Sequence, residues 1–221
     1  MSVVLYEYTE QFKSLFTNSV EYVKSLPSPR FIKTHLPYQL LPTEIDKVKP
    51  KIIYTMRNPK DLCVSYYYHC KLLHNFNVEF ETFCELFLND AVAYGGVFNH
   101  YLDFWKRRND ENVLILTYEE MKMDLKNTVI KIAEFMEKSL ADKDINSIVD
   151  FVSFGKMRKN KACNCESLVD NVKGADFFEK KGFHFIRNGE IADWKNHMTD
   201  EMSTRFDKWI ERNTKGTNLH F

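Results

Sequence analysis

A chain of 221 residues with 44% hydrophobic and 28% charged side chains suits one globular domain, residues 1–221, with a substantial core. Its 31 basic residues are matched by 31 acidic ones, which argues against general binding to nucleic acid or to a membrane surface and requires any anion site to be local. No apolar run reaches the length of a bilayer span and the N-terminal MSVVLYEYTEQFK has no signal-like layout, while five cysteines, an odd number, fit a cytoplasmic chain better than a disulfide framework.

In chain order, Thr9 to Lys24 carries Phe12, Leu15, Phe16, Val20 and Val23 at near-helical spacing and ends at the Pro27-Ser28-Pro29 turn. RFIKTHLP follows. Phe31 and Ile32 read as a short strand with Lys33, Thr34 and His35 at its exit, and Pro37 forbids a simple helical continuation. A histidine is most often structural, and a lysine two residues before it at a strand's end only sharpens the catalytic alternative. Residues 38 to 50 form a polar connection punctuated by Pro42 and Pro50.

Lys51 to Tyr68, KIIYTMRNPKDLCVSYYY, is the stretch around which the rest is organised. Ile52, Ile53, Tyr54 and Met56 suit a buried parallel strand, Asn58 suits an N-cap, Pro59 the first helical position, and Asp61 the first turn, where a carboxylate favours the helix dipole. Strand, tight turn and helix place Arg57 at the carboxyl edge of a sheet and Ser65 two turns into the helix. A guanidinium there suits phosphate, although pairing with a carboxylate would explain it as well.

Helices are expected from Phe80 to Asn89 and from Val97 to Arg108, separated by Gly95-Gly96. The aromatics between Tyr66 and Trp105 are read mainly as core, with a pocket for flat apolar molecules as the alternative. NVLILT, Asn112 to Thr117, is the second strand, and Tyr118 follows at its carboxyl end, positioned either to pack or to meet a nucleotide base. Leu125 to Glu137 and Ala141 to Phe151 read as amphipathic scaffold helices, and Thr199 to Arg212 as a last helix.

Between them, GKMRKNK at 155–161 gathers four basic side chains with no acid, which is most often a solvated face. Cys163 and Cys165 form a C-x-C pair without a second pair or histidines at ligand spacing, so no metal is expected. Arg187, Asn188 and Gly189 offer a guanidinium fork, an amide and an unshielded backbone, a set able to wrap a phosphate.

RFIKTHLP, YTMRNPKDLCVSYYY, LTYEEMK, SFGKMRKN and FIRNGEIADWK together, in this order and spacing, resemble the cytosolic sulfotransferases over about Ser25 to Lys195. The resemblance implies an α/β fold of the P-loop-kinase-like type, a parallel sheet flanked by helices. It implies transfer of a sulfuryl group from 3′-phosphoadenosine 5′-phosphosulfate to a hydroxyl or amine of a small phenolic or steroid-like acceptor, without a metal. By position, His35 matches the catalytic base and Lys33 the lysine that assists charge on the transferred group. Arg57 and Ser65 match the pair gripping the 3′-phosphate, completed by Arg187, Asn188 and Gly189. Tyr118, Ser153 and Phe154 fall where the family holds adenine and ribose, and Phe185 is counted with the donor-binding positions.

Departures accompany the match. The family's phosphosulfate loop, close to TYPKSGTTW, and the strand before it have no counterpart here, so the chain is expected to lack them as an N-terminally incomplete member; each lost donor of that kind costs about 3 kcal/mol of transition-state stabilisation. A non-catalytic protein retaining the 3′-phosphate half-site or acceptor pocket is therefore the alternative. Asn188 stands where the family has lysine, Ala192 where it has glycine, and Val152 where it often has threonine. Of the dimer signature K-x-x-x-T-V-x-x-x-E, Lys195 and Thr199 match while Asp200 and Thr204 do not, which leaves a homodimer open.

Overall fold

The structure, a computed structural model, describes residues 19–74, 76–166, 177, 182 and 184–221. These fall into two compact units, one within Leu36–Val152 and Asn188–Phe221 and one within Met1–His35 and Ser153–Arg187.

The larger unit is built on two parallel strands, β1 (Ile52–Met56) and β2 (Val113–Thr117), in the register Ile52 to Val113 through Met56 to Thr117. Parallel pairing demands a long crossover. Three helices fill it: α3 (Pro59–Leu73), α4 (Phe80–Leu88) and α5 (Val97–Trp105). The apolar run of β1 predicts burial on both faces, yet only Tyr54 and Met56 are buried, while Ile53 is 41% exposed. Ile53 and Thr55 point to the opposite side of the pleat from those two, so one face of β1 is covered and the other is not.

Two clusters form the core of this unit. Tyr54, Met56, Tyr101, Phe104 and Leu219 pack beneath the strands, with the Tyr54 ring stacked 3.9 Å from Phe104. Phe83, Phe87, Phe98 and Tyr67 meet Phe206 and Trp209 of the long last helix, Asp200–Thr214. These aromatics are therefore packing residues, which settles the alternative between core and pocket in favour of core for them. Between Tyr101 and that last helix lie α6 (Tyr118–Met123), α7 (Leu125–Phe135) and α8 (Asp142–Phe151). The connection at 38–50 is less irregular than its prolines suggest, with a 3-10 turn at Tyr38–Leu40 and the short α2 (Ile45–Val48).

The smaller unit holds α1 (Ser19–Ser25), α9 (Phe154–Lys159) and α10 (Lys161–Asn164), so the basic GKMRKNK segment is largely helical. The strand expected at Phe31 and Ile32 does not form: both are in irregular backbone and 65% and 59% exposed. Extended chain becomes strand only when its N–H and C=O groups pair with a neighbour, and no described residue pairs with this segment. Of the expected helix Thr9 to Lys24, residues 9–18 lie outside the described residues. Among the described residues, no helix is long and apolar enough to cross a membrane.

Candidate active site

In the larger unit the site is built outward from the turn that leaves β1. Asn58 accepts the Lys60 N–H at 3.0 Å through its side chain and Pro59 opens α3, as its sequence predicts. The backbone of Arg57 is fixed from α5: the Tyr101 hydroxyl accepts its N–H at 3.1 Å and donates to its carbonyl at 2.8 Å. Glu119 on α6 accepts the Asn58 N–H at 3.0 Å. Helix α6 is in turn held by a capping box, Thr117 with Glu120. Burial pushes the Tyr101 phenol well above its ordinary range, so its hydroxyl keeps its proton and remains able to donate.

The Arg57 side chain is held as firmly. Its guanidinium carbon lies 4.0 Å above the Tyr118 ring, Nη2 donates to the Glu190 carbonyl at 3.0 Å, and Asp61 Oδ2 stands 4.0 Å away. Stacking on an aromatic face leaves the edges of the guanidinium plane for acceptors. Nε is buried and has no acceptor among the described residues, so the group has donor capacity left over for an anion. The carboxylate that the sequence allows as a partner is present, but Asp61 approaches through one oxygen only and does not close a bidentate pair.

Residues 188–194 reach this arginine through the Glu190 carbonyl. Gly189 has φ 72°, a left-handed conformation natural to glycine, and Ala192 has φ 61°, which glycine would adopt more cheaply. Asn188 donates from its amide to Glu190 at 3.1 Å and Asp193 at 2.9 Å. Asp61 accepts the backbone N–H groups of Ala192 and Trp194 at 2.7 and 2.9 Å. Lys60 places its ammonium 4.1 Å over the Trp194 ring and bonds Ser203 and Asp207 on the last helix. Ser65 sits exposed on α3, two turns from the cap, on the helix that begins just after Arg57.

In the smaller unit, Lys33 and His35 are exposed in irregular chain, Ser153 caps the start of α9 with extended backbone, Phe154 is its first residue, and Phe185 and Arg187 are half-buried. Burial raises the Cys165 thiol while the charge of Lys33 opposes that shift. Of the predicted site residues, then, Arg57, Tyr118, Asn188 and Gly189 share one neighbourhood in the larger unit. Sequence reasoning missed Asp61, Tyr101 and Glu119. Asp61 and Glu119 read locally only as first-turn acids of capped helices, and Tyr101 is one ring among many.

The larger unit is thus a parallel α/β unit with a stacked arginine just beyond a strand's carboxyl end. The model of the sulfotransferase domain matches residues 3–218, and this chain belongs to that family. Luciferin sulfotransferase of Photinus pyralis is 39% identical over 204 residues, covering 91% of this chain and 55% of that protein. Sulfotransferase 1B1 of Canis lupus familiaris is 38% identical over 210 residues, 94% of this chain and 69% of that protein. Retinol dehydratase in complex with androsterone and PAP superposes with a TM-score of 0.85 at 32% identity, over 96% of this chain and 62% of that one. Mouse sulfotransferase SULT7A1 complexed with PAP gives 0.77 at 30% identity, over 90% and 70%. The chain therefore spans only 55% of the firefly relative's length. The fold is the P-loop-kinase-like α/β class expected from the sequence.

Proposed function

We propose that this chain acts in sulfuryl transfer from 3′-phosphoadenosine 5′-phosphosulfate to a hydroxyl or amine of a small phenolic or steroid-like acceptor in the cytoplasm. The observation that carries the reading is the arginine at the end of β1: stacked on Tyr118, tethered to the Glu190 carbonyl and with a buried donor to spare, it is prepared for a phosphate. PAP in the complexes of retinol dehydratase and SULT7A1 supports the choice of nucleotide, and the relatives' names, luciferin and amine sulfotransferase, support hydroxyl or amine acceptors.

In this reading Arg57, Ser65, Arg187, Asn188 and Gly189 bind the 3′-phosphate, Tyr118, Ser153 and Phe154 contact adenine and ribose, and Phe185 belongs to the donor-binding set. The 3′-phosphate stays outside the chemistry and holds the donor in line. His35 takes the acceptor's proton as its oxygen or nitrogen attacks sulfur; the bond from sulfur to the 5′-phosphate oxygen breaks, and Lys33 offsets charge on the transferred sulfuryl group. A radiolabelled sulfate transfer assay with phenol, sterol and amine acceptors tests this. His35→Ala should lower turnover by about a hundredfold or more. Turnover indifferent to that change refutes the base, and nucleotide binding without any turnover by the unaltered chain favours a sequestering protein.

A further inference from the structure

The mechanism just proposed makes no use of the most deeply buried carboxylate in the larger unit. Asp61 is 1% exposed, and its nearest cation, Arg57 Nη2, stands 4.0 Å away. A carboxylate out of water is costly unless hydrogen bonds replace its hydration. Here two backbone N–H groups do so, Ala192 to Oδ2 and Trp194 to Oδ1, from a segment more than 130 residues further along the chain.

The bonds act on a segment with a functional partner. Glu190, two residues before Ala192, gives its carbonyl to Arg57 Nη2 at 3.0 Å. Ala192 adopts φ 61°, which alanine does not favour, so the backbone there is held by its contacts rather than by its own preference. One carboxylate thereby ties the first turn of α3 to the segment whose carbonyl aims the guanidinium. The same oxygen that accepts the Ala192 N–H is the one facing Arg57.

We propose that Asp61 is the positioning residue of the anion site: it straps residues 190–194 to α3 and, through the Glu190 carbonyl and its own charge, sets the orientation in which Arg57 meets a phosphate. The proposal rests on the reading of Arg57 as a phosphate ligand. Asp61 touches no reacting atom, and its effect passes through Arg57. The isosteric Asp61→Asn replaces one acceptor by an NH2 that faces a backbone N–H, which breaks one side of the strap and removes the charge.

Two measurements on the full chain test it. Hydrogen exchange without nucleotide should show the Ala192 and Trp194 amides exchanging at least about tenfold faster in Asp61→Asn; unchanged exchange overturns the strap. Calorimetry with 3′,5′-adenosine bisphosphate should show about tenfold or more weaker binding in Asp61→Asn, yet less than about twofold further loss when Asp61→Asn is added to Arg57→Ala, because the two act as one unit. Losses that multiply independently overturn positioning and leave Asp61 a stabilising residue only. Should Asp61→Asn fail to fold, Asp61→Glu, with the charge kept on a longer arm, should fall between wild type and Arg57→Ala; affinity equal to wild type overturns the proposal. If the unaltered chain does not bind the nucleotide while Asp61→Asn still loosens the two amides, the phosphate reading of Arg57 has failed and the positioning role falls with it, although the strap stands.

Discussion

The Tyr101 hydroxyl carries both backbone hydrogen bonds of Arg57, so Tyr101→Phe removes a single oxygen and leaves an N–H and a carbonyl without their partner. Each lost bond is worth about 0.5–1.5 kcal/mol, and a partly buried group left unpaired adds to that, for a total of roughly 2–3 kcal/mol. The ring itself keeps its packing, since Tyr101 is 5% exposed and phenylalanine fills the same space. Urea unfolding followed by tryptophan fluorescence reads this unit alone, because all three tryptophans, Trp105, Trp194 and Trp209, lie in it. With a slope of about 2 kcal/mol per M, the midpoint should fall by roughly 1–1.5 M at unchanged slope. A fall of less than about 0.3 M would show that the Arg57 turn does not depend on this hydroxyl.

Three further outcomes follow from the same contacts. Ala192→Gly should stabilise the unit by about 0.5–1 kcal/mol, the left-handed penalty removed outweighing the added freedom of the unfolded chain, and should be read as a raised midpoint in the same urea titration. Arg205 forms a two-pronged pair with Glu85 and holds its carboxyl below the usual glutamate range. That contribution is complete above the ordinary glutamate pKa of 4.5 and is lost as pH falls through the lower folded value, so Glu85→Gln should narrow the difference in urea midpoint between pH 7 and pH 3. Burial pushes the Cys63 and Cys70 thiols up, and Cys84 is buried beside Cys63 with sulfurs 3.8 Å apart. Ellman's reagent should therefore label the half-buried Cys163 and Cys165 in the folded chain, with the remaining three reacting only on unfolding; rapid labelling of a third thiol would contradict this packing.

What the sequence made legible was local. Asn58 and Pro59 announce the start of α3 because capping is decided within one turn, and NVLILT announces β2 because four apolar residues in a row suit little else. The position of Arg57, just past the end of β1 and before α3, follows from its place beside those signals. The strand expected at Phe31 and Ile32 failed because pairing is not a property of the segment that pairs. Asp61 was legible as a first-turn acid but not as a strap, since its partners are backbone groups that carry no residue identity and lie far along the chain. Ala192 stands where the family has glycine, and the left-handed backbone there gives the reason glycine suits the position. Thr199, half of a partial dimer signature, caps the last helix by accepting the Met202 N–H at 3.2 Å, a local role that requires no second subunit.

The claim on which the rest depends is that Arg57 is a ligand for a phosphate on the ribose 3′ position. Calorimetric titration of the full chain with 3′,5′-adenosine bisphosphate and with adenosine 5′-monophosphate, repeated on Arg57→Ala, measures it. The bisphosphate should bind at least about tenfold more tightly than the monophosphate, and Arg57→Ala should erase that preference. Equal affinity for the two nucleotides, or a preference that survives the loss of Arg57, would place the phosphate elsewhere.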